Sequence, residues 1–186
     1  SDLEEARTLF GKMKCAEVLH EIKTRFALSQ SESQLKDLVI ADVKDQYLHH
    51  IQPKEGAVAF VKAAKASGYR LCVVTSNDEE LTHHVLKRIG ILDDFAFVLS
   101  AESANLSKQD PLIWETAIKR LHVEAKDCVV FEDSLHAMES AKALGCYVIS
   151  LAEPCKEEIR RCADECHRDF TTIKLPALTN AHVEKG

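Results

Sequence analysis

The sequence predicts an α/β protein: a three-layer α/β/α core with a mostly parallel sheet, preceded by a small helical lobe. Three observations predict it. From about residue 57 onward, short apolar runs alternate with helical stretches, the pattern of βαβ units. Cys128–Phe131 is a continuous apolar run that leads straight into Glu132, Asp133 and Ser134. That is how a strand buried on both faces reads, with acidic groups at its carboxyl end, where ligands bind in α/β sheets. Residues 1–50, by contrast, show only helical spacing.

In the first segment Leu3, Ala6, Leu9 and Phe10 share one face, and Ala16, Leu19, Ile22 and Phe26 form the next stripe. A helix start at Ser31–Gln34 precedes Leu35, Leu38, Val39, Val43, Tyr47 and Leu48, again at helical spacing. Pro53 and Gly56 end the lobe. The division expected is a helical cap over residues 1–51, a core over 52–178 and a frayed tail over 179–186.

In the core, Val58–Ala66 reads as a helix closed by Gly68. Tyr69–Val74 reads as a buried strand running into Thr75, Ser76, Asn77 and Asp78. Glu79–Ile89 is a helix stopped by Gly90, and Phe95–Ser100 a strand. Pro111–Leu121 is a helix opened by Asp110 as N-cap and by proline at its first position. After the Cys128 strand come a helix over His136–Leu144 ended by Gly145, a strand over Cys146–Leu151 and a charged helix over Lys156–Cys166. Phe170–Ile173 reads as a short strand.

Composition narrows the function classes. The 186 residues carry a net charge of −6 and are 46% hydrophobic, and the pI is near 5.8. An acidic chain argues against nucleic-acid and anionic-membrane partners. No apolar run approaches the ~18 residues of a transmembrane helix, and no signal-peptide pattern opens the chain. Ser1 in place of Met reads as a processed, trimmed or engineered start. Of the seven cysteines, Cys72, Cys128 and Cys146 fall in or beside strands as small buried thiols, and a reducing, cytoplasmic compartment is expected.

Three strand-to-helix junctions offer polar groups: Thr75, Ser76 and Asn77; Lys108; and Glu132, Asp133 and Ser134. Carboxylate oxygens hold Mg²⁺, hydroxyls and N–H groups at a helix start take phosphate oxygens, and lysine neutralises remaining charge. These are the parts of a Mg²⁺–phosphate site.

Taken together, Leu71–Asn77, Lys108–Pro111 and Val130–Ser134 followed by Ala141–Gly145 resemble the second, third and fourth motifs of the haloacid dehalogenase-like superfamily. The resemblance runs from about Phe10 to Leu178 and points to the capped phosphatase and β-phosphoglucomutase-like branch. It implies a Rossmann-like core and Mg²⁺-dependent hydrolysis of a small phosphate monoester, of the sugar phosphate or nucleotide class. By the same resemblance, Thr75 and Lys108 are catalytic, and Thr75, Ser76, Asn77 and Lys108 bind phosphate and substrate. Asp133, with Glu132, serves the metal. The family's first motif, Asp-x-Asp at the tip of a first strand, supplies its nucleophile and its general acid/base. Here the only comparable segment is Leu38–Asp45, with Asp42 followed two residues later by Lys44 on helical spacing. It reads as a cap helix. The nucleophile-bearing strand is therefore expected outside this sequence, which leaves two unpaired edges in the sheet. The alternative is an inactive homologue that binds a phosphorylated ligand or a protein partner. Gln109 where proline is usual, and His136-Ala137 where Asn-Gly is frequent, are smaller departures.

Other candidates have structural readings. Cys155, Cys162, Cys166 and His167 lack the paired loops of a zinc site, and a helix with ordinary thiols is expected, Cys162 and Cys166 sharing a face. His49-His50 and His83-His84 are adjacent pairs, which do not face one another on a helix. Trp114 is expected to pack beneath the Lys108 loop.

Overall fold

The computed structural model describes residues 15–175, so the expected helical face at Leu3–Phe10 and the tail over 179–186 lie outside the described residues. The chain divides into two compact units between Ile51 and Gln52.

The first unit holds helices α1 (Cys15–Arg25) and α2 (Glu32–Asp45), the latter continued by a π-helical turn over Gln46–His50. α2 starts where the sequence requires. The Ser31 hydroxyl accepts from the Gln34 amide while the Gln34 side chain accepts from the Ser31 amide, a reciprocal capping box. Among the described residues of this unit, Leu19 of α1 and Leu35 of α2 are buried, whereas Leu38, Val39, Ile40 and Val43 of α2 stay exposed. Asp42 lies inside α2, on a helix and not at a strand tip.

The second unit runs α3 (Ala57–Ala66), β1 (Cys72–Thr75), α4 (Glu79–Arg88), β2 (Phe97–Ser100), α5 (Pro111–Leu121), β3 (Val129–Glu132), α6 (Leu135–Ala143), β4 (Tyr147–Ser150), α7 (Glu157–Cys162) and β5 (Glu165–Cys166). All strand pairs are parallel, in two sheets: β1–β2, and β3–β4–β5. Side-chain alternation along the strands builds the layers. Cys72, Val74, Val130 and Val148 face one apolar cluster with Ile113, Trp114 and Ala117 of α5 and Met138 and Ala141 of α6. Val129, Phe131 and Ile149 face the other cluster with Phe60 of α3, Phe170 and Ile173. There the rings of Phe60, Phe131 and Phe170 meet at centroid distances of 5.2–5.6 Å. Gly56, at φ +76°, opens α3 against this layer, and a Cβ there would come within 3.0 Å of the Thr171 amide nitrogen.

The two sheets share one supporting layer. α5 packs on β1 and on α6, and α6 packs on β3 and β4. Yet β1 and β3 do not pair with each other, and each keeps one open edge among the described residues. Their burial is inverted. β2 and β4 bury three of four residues each, whereas β1 buries none and β3 only Glu132. β1 and β3, each at an open edge, are thus more exposed than their partners β2 and β4.

The carboxyl-terminal region departs from expectation. The helix expected over Lys156–Cys166 stops at Cys162, and Cys166 lies in β5, so Cys162 and Cys166 do not share a helix face. Asp164 is the reason. Its carboxylate accepts from Lys142 and from the Val148 amide, and its own amide donates to the Val148 carbonyl, which docks the chain on β4. Cys155 and Cys166 form a disulfide rather than ordinary thiols, while Cys72, Cys128, Cys146 and Cys162 are free. Phe170–Ile173 is a bend and turn instead of a strand. No helix among the described residues is long and apolar enough to cross a membrane.

Candidate functional site

β1 pairs with β2 in one parallel sheet, and β3 pairs with β4 and β4 with β5 in the other. In α/β proteins ligands bind beyond the carboxyl ends of such parallel strands. Thr75 ends β1 and Glu132 ends β3.

At the β1 tip the Thr75 hydroxyl accepts the Asn77 amide at 3.0 Å, which folds Thr75–Asn77 into a tight turn. Asp78 then caps α4, its carboxylate accepting from the Leu81 amide at 2.8 Å. Ser76 and Asn77 are exposed, and Thr75 is half-buried. Ser100, fully buried at the end of β2, donates its hydroxyl to the Asn77 carbonyl at 2.8 Å. Sequence reasoning missed Ser100. The available signal was a hydroxyl closing an otherwise apolar strand.

At the β3 tip Glu132 and Asp133 part company. Glu132 is buried, 4% exposed, and its Oε2 accepts the amides of Asp133 at 2.6 Å and Ser134 at 3.1 Å. Its Oε1 makes no directional hydrogen bond and meets the Lys108 ammonium as an ion pair. Both oxygens of Glu132 are thereby engaged within the protein. Asp133 is exposed, and among the described residues no hydrogen bond or ion pair engages its carboxylate. The structure thus brings Lys108 to Glu132 and sets Asp133 at the same tip.

Lys108 sits in the loop that leads into α5. Asp110 caps that helix through the Leu112 amide at 2.9 Å, ahead of Pro111. The Trp114 indole N–H donates to the Lys108 carbonyl at 3.0 Å, so the tryptophan lies under this loop as expected and also holds it.

As to metal, Mg²⁺ is usually held by one or two carboxylates, with water and phosphate oxygens completing the octahedron. The exposed Asp133 carboxylate fits that role. Glu132 lies behind it, orienting the Asp133 peptide. Among the described residues no group of three or more His, Cys, Asp or Glu is arranged as a ready-made cage, the Cys155–His167 segment included. His83 and His84 Nδ1 donate to the carbonyls of Glu79 and Glu80 on their own helix, while His49 and His50 both approach the Asp45 carboxylate, at 3.9 and 3.4 Å. The surface depression lined by His83, Leu92, Asp93 and Phe95–Val98 lies beside the start of β2, not at the strand tips.

The profile of the haloacid dehalogenase-like hydrolases matches residues 5–145. The chain belongs to the haloacid dehalogenase-like hydrolase family. It is 31% identical over 113 residues to a phosphoglycolate phosphatase of Thiobacillus denitrificans, covering 59% of this chain and 50% of that protein. It is 25% identical over 138 residues to a phosphoglycolate phosphatase of Neisseria meningitidis, covering 72% and 59%. The chain spans about half the length of the curated relatives it matches. Among solved structures, a HAD hydrolase of family IA, variant 3, from Entamoeba histolytica superposes with a TM-score of 0.71 at 18% identity, covering 94% of this chain and 81% of that one. A HAD family hydrolase from Deinococcus radiodurans, solved with bound phosphate and sodium, gives 0.71 at 19% identity, covering 89% and 76%. These likenesses show the HAD fold, a Rossmann-like α/β core.

Proposed function

We propose that this chain forms the phosphate- and metal-holding part of a Mg²⁺-dependent phosphohydrolase acting on a small phosphate monoester. The observation that carries this reading is the convergence of Lys108, Glu132 and Asp133 at the β3 tip, with Thr75 at the carboxyl end of the parallel strand β1. In the net reaction a monoester and water give an alcohol and inorganic phosphate. Thr75, Ser76 and Asn77 present hydroxyls and a turn to the phosphoryl oxygens at the start of α4. Lys108, fixed by Glu132, places its positive charge where negative charge develops. Asp133 holds Mg²⁺, which supplies charge neutralisation on the transferring group.

The nucleophile belongs on a strand lying between β1 and β3. Two findings support that position: the open edges of these two strands, and their exposure relative to β2 and β4. An extended apolar segment there would pair with both edges and cover both faces.

The names of two relatives, both phosphoglycolate phosphatases, support a small phosphorylated acid as one candidate substrate class. The test is release of inorganic phosphate from p-nitrophenyl phosphate and from 2-phosphoglycolate by the protein expressed from its complete gene, with Mg²⁺ and with EDTA. Turnover with Mg²⁺ and its loss in EDTA are expected. Phosphate binding without turnover in either condition would replace this reading with that of an inactive, ligand-binding homologue.

A further inference from the structure

Lys108 is useful to a phosphoryl group only if its ammonium is held in one place, and its long side chain has many rotamers to lose. Glu132 fixes the far end of that side chain. What fixes the near end is a pair of hydrogen bonds to two successive carbonyls. The Trp114 indole N–H donates to the carbonyl of Lys108 at 3.0 Å, and the Ser140 hydroxyl approaches the carbonyl of Gln109 at 2.6 Å. Both donors are buried, Trp114 6% and Ser140 7% exposed.

Ser140 has a single hydroxyl proton and two acceptors within reach, the Gln109 carbonyl and, at 3.0 Å, the His136 carbonyl one helical turn back. The His136 carbonyl is in position for the backbone bond of its own helix, whereas the Gln109 carbonyl lies in a loop. The nearer, loop carbonyl takes the proton. On the opposite side of the same peptide segment, the Gln109 amide donates to the Ser107 hydroxyl at 3.2 Å, and the Asp110 amide donates to the Ser107 carbonyl at 2.9 Å. The loop is thus gripped from within and from α6.

The geometry points to Ser140 as a positioning residue for Lys108, acting with Trp114 as a two-point clamp on the Lys108–Gln109 carbonyls. The consequence lies in where Ser140 sits. α6 begins directly after Asp133 and Ser134, so one rigid helix carries the acidic tip at its start and grips the lysine loop along its length. Ser140 therefore sets the spacing between the ammonium and the carboxylates. This rests on the phosphohydrolase reading only for its purpose, since the clamp itself is a matter of geometry.

The experiment is competitive acetylation of the protein with a trace of acetic anhydride, read by mass spectrometry for each lysine. The rate at Lys108, whose side chain is 21% exposed, is expressed relative to Lys119 and Lys126, at 76% and 73%. In Ser140→Ala and in Trp114→Phe the relative rate at Lys108 rises about three- to tenfold, the factor that loss of one net hydrogen bond gives. Lys119 and Lys126 do not change relative to each other, and Ser140→Thr, which keeps the hydroxyl, stays at the wild-type rate. An unchanged Lys108 rate in both Ser140→Ala and Trp114→Phe overturns the proposal. So does a parallel rise at all lysines, which marks general loosening, or a Ser140→Thr rate equal to that of Ser140→Ala. The readout needs no turnover, so failure of the clamp and failure of the phosphohydrolase reading are separate results.

Discussion

Lys108 and Glu132 form an ion pair in which the carboxylate is almost wholly buried and the ammonium is not, at 3% and 21% side-chain exposure. The other Glu132 oxygen is spent on the Asp133 and Ser134 amides. Glu132→Gln keeps an acceptor for those amides but turns an NH₂ group toward the ammonium, donor against donor. A loss of about 1–3 kcal/mol of folding stability follows. Urea unfolding of the variant against wild type measures it, and an unchanged midpoint would contradict the pairing.

Asp133 stands next to Glu132 in sequence and differs from it in burial and in the partners of its carboxylate. Its exposed carboxylate contributes little to folding, so Asp133→Asn changes stability by less than about 0.5 kcal/mol. On the proposed function, Asp133→Asn lowers kcat by about 10²- to 10³-fold, typical of removing one electrostatic contact to the transition state. Steady-state kinetics over a Mg²⁺ titration, with a denaturation curve on the same sample, separates the two effects.

At the opposite end of the sheet, burial pushes the Cys72 thiol up to about 11, partly offset by the Arg120 guanidinium. Only the thiolate alkylates. The iodoacetamide rate at Cys72 therefore climbs about tenfold per pH unit between pH 7 and 10. A rate that rises no more than about twofold from pH 9 to pH 10, with the site assigned by peptide mass mapping, would show an ordinary thiol.

Burial of Asp164 raises its carboxyl, but the hydrogen bonds from Lys142 and from the Val148 amide outweigh that, and the net shift is downward. A depressed carboxylate stabilises the fold above its unfolded value of about 3.9 and loses that contribution as pH falls through the folded value. The Tm difference between wild type and Asp164→Asn is thus largest at neutral pH and shrinks below about pH 4. A constant difference from pH 7 to pH 3 would rule out the linkage.

What the sequence disclosed was local. The run into Glu132-Asp133, the Asp110-Pro111 helix start and the helix start at Ser31–Gln34 each depend on neighbouring residues, and each stands in the structure where the spacing puts it. What stayed hidden depends on contacts far along the chain. Helical periodicity carries Lys156 through Cys166, yet the helix stops at Cys162 because Asp164 finds the Val148 amide and Lys142. The unequal fates of Glu132 and Asp133 were hidden for the same reason, since only the fold shows which carboxylate meets Lys108. Ser100 and Ser140 looked like ordinary small polar residues, and their partners lie 23 and 31 residues away.

The most direct test of the central claim is kcat/KM for p-nitrophenyl phosphate with Mg²⁺, measured for the protein expressed from its complete gene and for its Lys108→Met variant, a change that keeps the apolar stem and removes the charge. The strand-tip site predicts turnover by the wild type and a fall of about 10²-fold or more in the variant. Equal values in the two proteins would contradict it.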